Sequence, residues 1–167
     1  MRHTDTSWTR LAARTARGLL ARKGIAYQEL ATRLTAAGMA ETFRSVESKI
    51  QRGSFRLEFF VATLKVIDSE YPPQWAAYLE SDLSIAEAAT QIFHNELLAN
   101  KLSIEVLCSL LGQRGISIDA STVATLLADH DVPFTLFLQL GLTAPIHGLS
   151  RFVDQCDIEA AAIPATI

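Results

Sequence analysis

The sequence predicts an all-α chain that uses one helical unit twice, and three observations carry that prediction. Apolar residues recur at three- and four-residue intervals almost throughout, and the one alternating stretch, Ile116-Ser117-Ile118, is too short for a strand. Glycine and proline break the pattern often, which leaves gaps of only a few residues between periodic segments. Sliding the chain by 77 positions without a gap places Leu20 on Leu97, Leu30 on Leu107, Leu34 on Leu111, Gly38 on Gly115, Val46 on Val123 and Phe60 on Phe137.

In the first copy, a helix over about 8–22 places Ala12, Ala16, Leu19 and Leu20 on one face. Lys23-Gly24 ends it, because glycine suits a left-handed cap. A second helix, about 27–37, carries Tyr27, Leu30, Ala31 and Leu34 at helical spacing and stops at Gly38. A third, about 41–52, is expected to bury Phe43, Val46 and Ile50 before Gly53-Ser54. A fourth, about 56–67, buries Leu57, Phe60, Val61 and Leu64. Pro72-Pro73 then marks a linker, and Pro73 can open a short helix over Gln74–Glu80.

The second copy follows the same plan. Ser84 with Glu87 forms a capping-box pattern for a helix running to about Asn100. Ile104, Leu107, Cys108 and Leu111 form the next stripe, stopped by Gly115. Cys108 takes the place of Ala31 and is expected to be a small core residue. Asp119 is a good cap for a helix with Val123 and Leu127 inward, and Asp131-Val132-Pro133 is expected to cap and open the next. Gly141 lies near its end. A last helix is expected over Ile146–Gln155, with a frayed tail from Glu159. The domain boundaries that follow are 7–70, a linker at 71–81, 82–155, and a tail at 156–167.

The copies share a core pattern but not a surface. Residues 1–80 carry 12 Lys and Arg against 8 Asp and Glu, whereas residues 81–167 carry 3 against 10. Under the same offset of 77, Arg33 becomes Leu110, Lys49 becomes Leu126 and Arg52 becomes Asp129. Core residues set a fold and surface residues set a partner, so one scaffold is read as doing two jobs. The basic half hints at a polyanion. Hydrophobic residues make up 49% of the chain. The mean hydropathy of +0.20 then calls for a buried interface between copies or between chains.

Helix, short turn, helix, glycine break and helix is the layout of a helix-turn-helix. With Phe43, Val46 and Ile50 inward, the third helix presents Thr42, Arg44, Ser45, Ser48 and Lys49, the hydroxyls and cations that read base edges. Around them, Gln28, Arg33, Arg52, Ser54 and Arg56 suit phosphate. Glu41 and Glu47 add negative charge on or near that helix.

The run Tyr27-x-x-Leu30-Ala31-x-x-Leu34, then Gly38, then Ser48-Lys49-Ile50-Gln51-Arg52-Gly53-Ser54-Phe55, resembles the phage-repressor-like helix-turn-helix superfamily. It is still more similar to a little-characterised bacterial family of short helix-turn-helix-like proteins. In that family an early aromatic residue precedes a Lys-Ile-x-Arg-Gly-x-Phe segment, as Trp8 and Lys49–Phe55 do here. The resemblance covers about residues 7–67. It implies a repressor-like fold and DNA binding for that unit, without naming a target. Taken with the repeat of 77 residues, the expected architecture is two tandem repressor-like domains of four to five helices.

In the second copy, Leu110, Leu126, Leu136 and Leu138 exceed what one small core needs and are read as an interface, for a homodimer or for docking the first copy. The expected function is therefore a sequence-specific, double-stranded-DNA-binding transcriptional regulator. Its second domain would bring two reading helices to two half-sites. The alternative is a protein-interaction module or inhibitor that uses the same fold without DNA. Catalysis, metals and cofactors are not expected. His3, His94, His130 and His147 are far apart, no CxxC pair exists, and phosphate-loop and nucleophile-elbow motifs are lacking. His130, aligned with Gly53, reads as an exposed turn residue. A polar start, two cysteines and no membrane-length apolar run point to a reduced, cytoplasmic protein.

Overall fold

The computed structural model describes residues 5–164, which contain ten α-helices and no strand. The first group is α1 (Ser7–Lys23), α2 (Tyr27–Ala36), α3 (Phe43–Arg52) and α4 (Leu57–Val66). A short 3-10 turn at Pro73–Trp75 leads into α5 (Ala76–Leu79). The second group is α6 (Ile85–Ala99), α7 (Ile104–Gln113), α8 (Ala120–Ala128) and α9 (Phe134–Thr143). After a 3-10 turn at Leu149–Arg151, α10 (Gln155–Ala161) closes the described chain. No described helix is long and apolar enough to cross a membrane.

Local chemistry accounts for the ends. Thr6 with Thr9, Thr42 with Ser45 and Ser84 with Glu87 form capping boxes that satisfy the first free N–H groups of α1, α3 and α6. The chain turns left-handed at Gly24, Gly38 and Gly53, and again at Lys101, Gly115 and His130, each 77 residues on. The bounds of α2 and α4, moved by 77, coincide with those of α7 and α9.

The two groups do not stand apart. Their buried residues form one continuous cluster from Trp8 to Ala161. Where they meet, Arg56 and Pro133 form an antiparallel bridge. The Leu57 N–H donates to the Val132 carbonyl at 2.8 Å, and the Phe134 N–H donates to the Phe55 carbonyl at 3.0 Å. Moving either bond by 77 residues converts it into the other. The packing is reciprocal in the same sense, since α4 lies on α6 while α9 lies on α1. Phe134 stacks on Phe60 with ring centroids 4.2 Å apart and on Phe55 at 5.4 Å, and Trp75 meets Phe137 edge-on at 5.7 Å.

The linker is fixed by a buried carboxylate. Glu96 is 3% exposed and accepts from the Trp75 indole N–H at 3.0 Å and from the Gln74 amide at 3.2 Å. A buried carboxylate is tolerated only with such partners.

Four expectations need correction. Phe43 is 41% exposed rather than inward, because α3 starts at that residue and its first turn overhangs the core. Its ring lies against Tyr27, centroids 6.3 Å apart. Asp131 does not cap α9, whose cap position is Pro133; its carboxylate pairs with Arg56. The closing helix is later than 146–155. Asp154 takes its cap position, and Ile158 and Ala161 are buried on its inner face, so the chain from Glu159 to Ala161 is held rather than frayed. Cys108 lies at the rim, half-buried against the core.

Candidate functional site

Most of the basic charge of the first group lies on two helices that pack against each other, α1 and α3. On α1, the residues Leu11, Ala12, Ala16, Leu19 and Leu20 face the core, so Arg10, Arg14 and Arg17 form one exposed stripe on the other side. On α3, Val46 and Ile50 face the core, which turns Arg44, Ser48 and Arg52 outward at intervals of one helical turn, with Gln51 beside them. The helices are held together at the Gly53 turn. Gly53 is buried, has φ of +67°, and lies so close to α1 that a Cβ there would fall 1.8 Å from the Thr9 carbonyl oxygen.

Arg52 stands between two grooves. One, of about 800 Å³, runs between α1, the end of α3 and α10, and is lined by Arg10, Arg14, Arg17, Gln51, Arg52 and Asp157 among others. The other, of about 560 Å³, lies on the far side of α3, where Ser48, Lys49, Arg52, Ser54 and Arg56 meet Glu41, Phe55 and Phe59.

The sequence-derived residues divide by what already occupies them. Arg44 and Arg52 are exposed, and neither has an ion partner among the described residues. Ser48 is half-buried on the outward face between them. Thr42 and Ser45 are engaged with the start of α3: the Thr42 hydroxyl accepts from the Ser45 N–H at 3.1 Å, and the Ser45 hydroxyl accepts from the Thr42 N–H at 2.8 Å. Lys49 pairs with Glu41, whose side chain is buried, and lies 5.4 Å from the Phe59 ring centre. Arg33 pairs with Glu29 and donates to the Val66 carbonyl at 2.9 Å, and Arg56 pairs with Asp131. Gln28 and Ser54 are exposed. Exposed ion pairs are worth about 0–1 kcal/mol, so an incoming anion can replace the carboxylate at Arg33 or Arg56.

Two features lie outside the sequence-derived set. The α1 stripe was legible in principle, since Arg10, Arg14 and Arg17 follow i, i+4, i+7 spacing. The wall that α10 supplies was not, because its packing on α1 joins residues 154 positions apart, as in the 2.6 Å bond from the Ser7 hydroxyl to the Ala161 carbonyl.

The matched surface of the second group lacks cations. Arg44, Ser48 and Arg52 correspond to Ser121, Thr125 and Asp129, all exposed at α8. Arg10, Arg14 and Arg17 correspond to Glu87, Gln91 and His94 on α6. Leu136 and Leu138 are 2% and 0% exposed within the chain's own core, while Leu110 and Leu126 remain half-buried at the surface. His130 is exposed, and its Nδ1 lies 2.8 Å from the Thr90 hydroxyl. Burial, Asp119 and Glu105 push the Cys108 thiol up, which favours the protonated form over a reactive thiolate. Among the described residues, no group of three or more His, Cys, Asp and Glu could hold a metal ion.

Residues 8–71 match the model of a family described as a domain of unknown function (DUF6471). The match spans α1 to α4, and therefore the whole cationic face, and stops before α5. No curated protein and no solved structure is significantly similar to the chain.

Proposed function

We propose that the chain is a sequence-specific, double-stranded-DNA-binding transcriptional regulator, built from two tandem repressor-like helical domains related by the repeat of 77 residues. In this reading, α2 and α3 form a helix-turn-helix of the phage-repressor-like kind, and α3 enters the major groove. Arg44 and Ser48, with Lys49 once it leaves Glu41, meet base edges; Arg52, Arg33, Arg56, Gln28 and Ser54 meet phosphates. The second domain pairs two chains through the half-buried Leu110 and Leu126 and the exposed Val106, so that two copies of α3 reach two half-sites. The two free cysteines fit a reduced, cytoplasmic setting, and no catalytic role is assigned.

One observation carries the reading. Two helices of matched position differ in the groups they present, with Arg44-Ser48-Arg52 on α3 against Ser121-Thr125-Asp129 at α8. A bare scaffold has no need of that difference, whereas a phosphate-lined groove needs cations on the helix that enters it.

Selection of bound duplexes from a random pool tests it. The wild-type chain is expected to enrich a defined motif. Arg44→Ala is expected to relax preference at one base position and to weaken binding by about 1–3 kcal/mol. A pool that shows no enrichment would favour a protein-interaction module or inhibitor instead. A specific feature favours that second reading: Lys49, Arg33 and Arg56 already have acidic partners within the chain.

A further inference from the structure

The 800 Å³ groove beside α1 is lined by none of the residues proposed to meet base edges, yet it gathers more arginines than the groove on the far side of α3. Four arginines line it, and only Arg10 has an ion partner there, the exposed Asp5 at 3.1 Å. Arg14, Arg17 and Arg52 have none among the described residues. At 1.5 Å rise per residue, the row from Arg10 to Arg17 is about 10 Å long. A row of separated guanidiniums fits a chain of phosphates better than a single compact anion, and one DNA strand places a phosphate about every 3.4 Å along its axis. The opposite wall is α10, which brings Asp157 and the backbone around Ala161. The groove is therefore completed by the last described helix. Its arginine row has no counterpart on the matched face of α6, where Glu87, Gln91 and His94 stand.

We propose that this groove holds one phosphodiester strand of the bound duplex, beyond the segment that α3 reads, with Arg14, Arg17 and Arg52 on its phosphates and Asp157 opposing them. The proposal rests on the DNA-binding reading above and adds a second, sequence-independent anchor. That anchor sets how strongly salt weakens binding, not which sequence is chosen.

The test uses the full chain and two duplexes of unrelated sequence, with binding followed from 50 to 200 mM salt. The double variant Arg14→Ala/Arg17→Ala is expected to flatten the plot of log affinity against log salt by about 1.8, or about 0.9 for each phosphate no longer neutralised. Both duplexes should lose affinity equally. Arg14→Lys/Arg17→Lys should restore most of the slope, and Asp157→Asn should tighten binding at low salt. Arg14 and Arg17 are exposed, so helix content by circular dichroism should not change in either double variant. A wild-type slope retained in the double alanine variant, while Arg44→Ala still weakens binding, would overturn the groove's role and leave the reading helix intact. A wild-type chain that binds neither duplex would overturn both.

Discussion

Gly53→Ala is expected to lower the stability of the whole chain by about 3 kcal/mol or more. Two independent costs combine there. A left-handed backbone costs an alanine about 1–2 kcal/mol, and φ at this position is +67°. The new Cβ would also fall 1.8 Å from the Thr9 carbonyl oxygen and 2.7 Å from its carbon. These are backbone atoms of α1 that cannot swing aside, and overpacking of that kind typically adds about 1–3 kcal/mol. For a chain of this length the melting temperature should fall by roughly 10 °C, read by circular dichroism. The matched substitution His130→Ala should cost about 1 kcal/mol or less, since it keeps the left-handed backbone of an exposed residue and removes one bond to Thr90. Equal shifts for the two variants would contradict the account of the α1–α3 junction. Under the proposed DNA-binding role, Gly53→Ala should also weaken binding more than its stability loss explains, because the same turn brings α3, with Arg52, against α1, with Arg14 and Arg17.

Phe134→Ala should be comparably severe, about 3–5 kcal/mol, as expected for emptying a fully buried aromatic site. The informative part is the shape of the transition. Phe134 belongs to α9 but stacks on Phe60 and Phe55 in and beside α4, and its N–H closes one of the two bonds across the bridge. Loss of its ring, with the N–H retained, should loosen both halves at once, so unfolding should stay a single transition at lower temperature. A second transition left at the wild-type midpoint would mean that the first half is stable without the second.

The local elements were open to reading because their signals are local. Leu30 and Leu34, Leu107 and Leu111, and the glycines after them fix α2 and α7 by spacing and punctuation alone. Even the left-handed turn at His130 follows from its alignment with Gly53. Other features depend on distant partners. Nothing near Asp131 announces that Arg56 will take its carboxylate in place of a helix cap. Phe43 matches the inward period of α3 but falls in its first turn, where the core does not reach. For the site, the outward face of α3 was legible in the sequence, whereas the occupied state of its side chains was not. Glu41 is eight residues before Lys49, too far for a helical pairing rule, and only the loop after α2 brings them together. The groove beside α1 was half legible, as a stripe of arginines whose facing wall comes from α10.

Fluorescence anisotropy of a random-sequence duplex, titrated with the full chain from 50 to 200 mM salt, tests the central claim most directly. The account predicts binding at low salt that falls along a straight line in log affinity against log salt. That line should be at least as steep as about −2.7, the share owed to Arg14, Arg17 and Arg52 alone. No binding at 50 mM salt, or affinity that does not respond to salt, would contradict it.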